Sequence, residues 1–161
     1  MGGVIAAHLA SIYPQVKKLV LVAPAFRYFY FKNGKIDLKN VSETIKNIRT
    51  IFKGEDAETV VSRIAKTPIP TIIEFMKLVK NSQECVKYIN CPTITIHGKN
   101  DLVVPTEGTE YVYNNIKSKT NILYNIENLN HNCFVNKKIV KDIIKDFLIK
   151  HPNNKKEIIE L

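Results

Sequence analysis

Three short apolar runs constrain this chain more than any other feature of its sequence. Leu19-Val20-Leu21-Val22-Ala23 is apolar without interruption, the mark of a strand buried on both faces as in a parallel sheet. Thr93-Ile94-Thr95-Ile96-His97, bounded by Pro92 and Gly98, gives a second strand signal, and Asn121-Ile122-Leu123-Tyr124-Asn125 a third. Helical patterns stand between and around them. Met1 to Tyr13 is small and apolar, with Pro14 just beyond its expected end. Thr106 to Lys117 reads as a helix with Pro105 at its start. Val135, Ile139, Val140, Ile143, Ile144, Phe147 and Leu148 form one stripe, opposite Lys137, Lys138, Lys141, Asp142 and Lys145. Strands alternating with helices imply an α/β fold with a mostly parallel sheet of about three strands and flanking helices. The segment after His151-Pro152 is charged and is expected to fray.

One stretch breaks the alternation. Residues 25–88 hold three helical stripes and no convincing strand: Val41, Ile45, Ile48 and Phe52; Val60, Val61, Ile64 and Ala65; and Ile72, Phe75, Met76 and Val79. A helical insertion between two strands reads as a cap. The expected organisation is thus a core from 1–24 and 89–151, a cap at 25–88 and a tail at 152–161.

Composition narrows the function classes. The 161 residues suffice for one domain with a real core. A net charge of +9 invites a nucleic-acid reading, but the basic residues are scattered lysines, as at Lys17-Lys18, Lys137-Lys138 and Lys155-Lys156. No arginine stripe or nucleic-acid motif accompanies them, so a solvated lysine surface is expected. No apolar run approaches the ~20 residues that span a bilayer, and no signal-peptide pattern precedes the first helix. Cys85, Cys91 and Cys133 are odd in number and lack a CxxC spacing, which argues against a disulfide framework or a zinc site. Free thiols suggest a reducing cytoplasm. No cofactor is called for.

Two residues carry candidate chemistry. Asp101 follows His97-Gly98-Lys99-Asn100, just past the carboxyl end of a strand, where open α/β sheets place their sites. It can orient an imidazole, or it can be a turn aspartate. His131, in Glu127-Asn128-Leu129-Asn130-His131, sits between the third strand and the last helix. A loop histidine is often a surface residue. This one is expected at the same end of the sheet as Asp101 and follows the acid in chain order.

The order of these signals, with Met1-Gly2-Gly3 and its small-residue helix ahead of Lys-Leu-Val-Leu-Val-Ala-Pro, resembles α/β-hydrolases of the carboxylesterase and monoacylglycerol lipase kind. The resemblance covers residues 1 to about 150. It implies that Met1-Gly2 follows a Gly-x-Ser nucleophile elbow, with the serine one position before Met1. Asp101 and His131 would be the acid and base of a triad, and the Met1 backbone N–H an oxyanion donor. It further implies a chain truncated after its nucleophile and inactive alone. Asn130 stands where the family usually carries glycine before the histidine, and asparagine tolerates a left-handed backbone.

The substrate implied is a small apolar acyl ester. Phe26, Tyr28 and Phe29 at the entrance to the cap, with Phe75 and Met76, would line its pocket; equally, these side chains pack the cap on the body. Ser11 lies about 15 Å along the first helix, at the wrong level to replace the serine. Cys133, His8, His97 and His151 take structural readings, His97 as a buttress of the acid loop. The rival to the enzyme is a non-catalytic remnant that binds apolar ligands or a partner chain, or forms a homo-oligomer, through an exposed sheet edge.

Overall fold

A computed structural model describes residues 1–27, 31–32, 35–36, 68–101, 104–131, 138–150 and 153–161. The uninterrupted apolar runs become the interior of a parallel sheet. Strands β1 (Leu19–Val22), β4 (Thr93–Gly98), β5 (Asn121–Ile126) and β6 (Lys156–Glu160) lie in the order β1-β4-β5-β6, every pair parallel. Leu21, Ile94, Ile96 and Leu123 are fully buried, and each contributes about 1.5–3 kcal/mol relative to exposure.

Helices cover both faces. On one side α1 (Gly2–Ile12), α2 (Ile69–Cys85) with the 3-10 turn Val86–Tyr88, and α3 (Thr106–Asn115) enclose Leu19, Leu21 and Phe26. On the other side α4 (Lys138–Ile149) lays Val140, Ile143, Ile144 and Phe147 against Ile94, Ile96, Ile122 and Tyr124. The small residues of α1 have a steric purpose. A Cβ at Gly3 would come within 3.3 Å of the Pro24 side chain, so glycine lets α1 sit close to the end of β1. Val4, Ala7 and Ala10 face inward, whereas Ile5, Leu9 and Ile12 on the outer side are 40%, 44% and 54% exposed.

Lys18, just ahead of β1, closes the far end of α4. Its Nζ donates to the carbonyls of Phe147, Leu148 and Lys150, at 2.8 Å each. A helix leaves its last four carbonyls without partners, and a cation there also meets the negative end of the helix dipole.

The structure departs from the sequence-based expectations at several points. The sheet has four strands rather than about three, because the segment expected to fray supplies β6. β6 pairs its backbone along β5 from Asn121↔Lys156 to Asn125↔Glu160, which satisfies an edge that would otherwise carry unpaired polar groups. The stretch read as free of strands contains a small antiparallel pair, β2 (Phe31–Lys32) and β3 (Lys35–Ile36). The sequence between them is Asn33-Gly34, a pair strongly favoured in two-residue hairpin connections. The first two cap stripes fall outside the described residues. The third belongs to α2, which begins with Pro70 in its first turn and buries Met76, Val79 and Ser82. β1 ends at Val22 because Ala23 adopts a left-handed backbone (φ 42°).

Candidate active site

The acid loop is built on Gly98, the last residue of β4. A Cβ at this position would overlap the carbonyl oxygen of Leu129 outright and lie 2.6 Å from its carbonyl carbon. Glycine therefore lets the histidine loop lie directly on the end of the strand. The chain then turns, with the Asp101 N–H donating to the Gly98 carbonyl at 2.9 Å. Two backbone bonds stitch the acid loop to the histidine loop. The Lys99 N–H donates to Ile126 O (3.0 Å), and the Asn100 N–H to Leu129 O (3.1 Å).

The histidine loop leaves β5 through Asn128, whose φ is 55°. Among the described residues of this loop the left-handed backbone falls at Asn128, two residues before Asn130. Leu129 is buried beneath it and anchors the turn two residues before His131.

These constraints bring the two candidate residues together. Asp101 Oδ2 lies 2.9 Å from His131 Nδ1, and Asp101 Oδ1 accepts the Val104 N–H at 2.9 Å. The acid side chain is fully buried, whereas that of His131 is 35% exposed. Both oxygens of the carboxylate are thereby directed, and the imidazole is fixed in orientation while its ring remains accessible. A carboxylate so placed can fix the tautomer of an imidazole, an arrangement suited to proton transfer.

A second imidazole lies behind the first. His97 is 1% exposed, and its Nδ1 is 2.7 Å from Thr109 Oγ1 on α3. Its buried Nε2 has no hydrogen-bond partner among the described residues. Burial pushes its pKa below the ordinary value; Asp101 and Glu107 pull it up, and His131 pushes it down. His97 is therefore a neutral group in the floor beneath the pair.

The family model described as "Serine aminopeptidase, S33" matches residues 1–138. The chain belongs to this family. Its fold is that of an α/β hydrolase, and two solved structures illustrate it. A structure of LipS and LipT, two metagenome-derived lipolytic enzymes, matches with a TM-score of 0.68 at 18% identity, covering 94% of this chain and 62% of that one. The monoacylglycerol lipase of Paleococcus ferrophilus matches with a TM-score of 0.59 at 12% identity, covering 91% of this chain and 63% of that one. The S33 chain thus spans less than two thirds of either structure. No curated protein sequence matches it significantly.

The other expected site residues of the S33 chain are distributed as follows. Met1 precedes α1, its carbonyl accepting the Val4 N–H at 3.0 Å, and partial burial lowers the pKa of its amino group. Phe26 is fully buried in the core with α1, α2 and β1. Its carbonyl accepts a hydrogen bond from Gln83. Met76 is buried and Phe75 half-buried against the same core. Tyr28, Phe29, Cys133 and His151 lie outside the described residues. Ser11 Oγ donates to the His8 carbonyl at 2.6 Å, one turn back along α1. Cys85 and Cys91 are free thiols, and burial pushes that of Cys91 up.

A groove of about 670 Å³ between α4 and strands β5 and β6 includes neither Asp101 nor His131. Among the described residues no group of three or more His, Cys, Asp or Glu is placed to hold a metal ion, and no helix is long and apolar enough to cross a membrane. The sequence reading missed His97's contact with Thr109 and the seating of Leu129 on Gly98. The adjacent His97-Gly98 at a strand end was the one available signal for both.

Proposed function

We propose that this chain carries the acid–base pair of a serine esterase or lipase that cleaves carboxylic acyl esters. The observation that carries the reading is the 2.9 Å approach of His131 Nδ1 to the buried Asp101 carboxylate. His131 takes the proton of a serine hydroxyl as that oxygen attacks the acyl carbon. It then gives the proton to the departing alkoxide, and the same cycle with water releases the acid. Asp101 holds the ring in the required tautomer throughout. On the family pattern the serine immediately precedes Met1. The Met1 nitrogen, then a peptide N–H at the start of α1, donates to the oxyanion, an interaction of about 3 kcal/mol in enzymes where such a donor has been removed. These 161 residues alone are then inactive.

The ester class is supported by the lipolytic character of the two structures above. The family description names an aminopeptidase, so an aminoacyl anilide belongs beside a chromogenic acyl ester in the assay. The decisive observation is the coding sequence ahead of Met1. An in-frame Gly-x-Ser supports the proposal, and unrelated sequence refutes it. Ester hydrolysis by these 161 residues that His131→Ala abolishes would place the nucleophile within them and refute the serine assignment.

A second reading rests on the outer edge of β1, which pairs with no other strand among the described residues, and on the neighbouring Ile5, Leu9 and Ile12. On that reading the chain is a non-catalytic remnant that associates with a copy of itself through this flank. A monomer by sedimentation at micromolar concentration refutes it.

A further inference from the structure

We propose that strand β6 straps the acid and histidine loops together, with Lys99 and Glu160 as the positioning residues of the Asp101–His131 pair. The inference rests on the acid–base reading above.

Five contacts converge at the end of β6. The Glu160 carboxylate accepts Asn125 Nδ2 at 2.8 Å through Oε1 and Lys99 Nζ at 2.7 Å through Oε2. Lys99 reaches across in turn to Glu127 Oε1 at 3.2 Å. One residue further, the Leu161 N–H donates to Asn125 O at 3.0 Å and Leu161 O accepts the Glu127 N–H at 2.6 Å. The ammonium of Lys99 is thus shared by one carboxylate from the strap and one from the histidine loop. It holds the Lys99 pKa up and the Glu160 pKa down.

Position in the chain makes these contacts consequential. Lys99 is two residues before Asp101, and its own N–H is bonded to Ile126 O. Glu127 begins the turn that passes through Asn128 and Leu129 to His131. The strap therefore grips both loops at their roots, in addition to the seating of Leu129 on Gly98. Each ion pair is exposed, and alone each would be weak. Here they sit on five residues of paired backbone, so the carboxylate arrives already placed.

The test reads the pair directly by imidazole proton NMR. In the unaltered chain the His131 Nδ1–H, held by Asp101, is expected to give a low-field resonance in slow exchange with water, to be assigned by its loss in His131→Gln. Glu160→Gln keeps the side-chain shape and removes the charge. It is expected to accelerate exchange of that proton several-fold, with Glu160→Asp restoring much of the protection. Removal of residues 155–161 is expected to abolish the resonance. Amide protection of Ile94 and Ile96 in β4 reports that the core remains folded; should the shortened chain unfold, Glu160→Gln decides alone. Unchanged exchange in Glu160→Gln with an intact core overturns the strap and leaves the acid–base reading standing. Absence of the resonance from the unaltered chain overturns both.

Discussion

Gly98→Ala is the sharpest perturbation of this structure. The added methyl would overlap the Leu129 carbonyl oxygen, lie 2.6 Å from the carbonyl carbon and 2.9 Å from the Leu129 Cβ, where ordinary contact begins near 3.4 Å. Two of these three atoms are backbone, so no rotamer change relieves the clash. Leu129 must retreat, breaking the Asn100 N–H bond to its carbonyl and carrying His131, two residues on, away from Asp101. Overpacking of this kind costs about 1–3 kcal/mol. With a urea slope of about 1–3 kcal/mol/M, the unfolding midpoint should fall by roughly 1 M. A displacement near 1 Å is also enough to lower turnover about 10²-fold. Equilibrium urea unfolding and the His131 Nδ1–H resonance read the two consequences separately. A variant with an unchanged midpoint and an unchanged resonance would show that Leu129 does not seat the histidine, and the account of the site would fail.

Further outcomes follow from the same geometry. Asp101→Asn keeps an acceptor for the Val104 amide but removes the charge and the tautomer control; acyl-ester turnover by the enzyme assembled with its serine should fall about 10⁴-fold, as in serine protease triads. Lys18→Met keeps an apolar stem beside the Phe147 ring, 5.5 Å from Nζ, and removes three hydrogen bonds at the end of α4. It should cost about 1–2 kcal/mol, read as a lower melting temperature. Burial holds the folded pKa of His97 below its ordinary value of 6.5, so the unfolded chain takes up the proton first as pH falls. Stability is then complete above 6.5 and declines below it. His97→Gln should flatten the fall in urea midpoint between about pH 7 and about pH 5.

How much of this was legible in the sequence depended on where the stabilising contact lies. Leu19–Val22 and Thr93–Gly98 were readable because burial on both faces demands an apolar or β-branched residue at nearly every position. Lys156–Glu160 was not readable. Its two isoleucines are adjacent rather than alternating, and its place is held by backbone pairing that leaves no side-chain pattern. The Asn33-Gly34 signal was overlooked among the helical stripes around it. Asp101 and His131 were singled out from chain order, loop position and the family resemblance, and the structure brings their side chains together because both follow strands at one rim. The left-handed backbone at Asn128 was not anticipated, because asparagine permits that conformation at many positions without requiring it. For Phe26 the sequence left a pocket lining and a packing role equally open, and only tertiary contacts show it buried with α1, α2 and β1. His97 was read as a buttress of the acid loop, but its contact with Thr109 was not legible, because that partner is twelve residues away on another element.

The three-carbonyl grip on Lys18 has a practical consequence for amine chemistry. An acylating reagent needs a free, deprotonated amine, and this one is occupied on all three of its donors. In a chain with so many lysines, Lys18 should be among the last to react with an N-hydroxysuccinimide ester. The moment at which mass spectrometry first detects its acylation would therefore time the unwinding of the final helical turn, making this lysine a built-in clock for local opening.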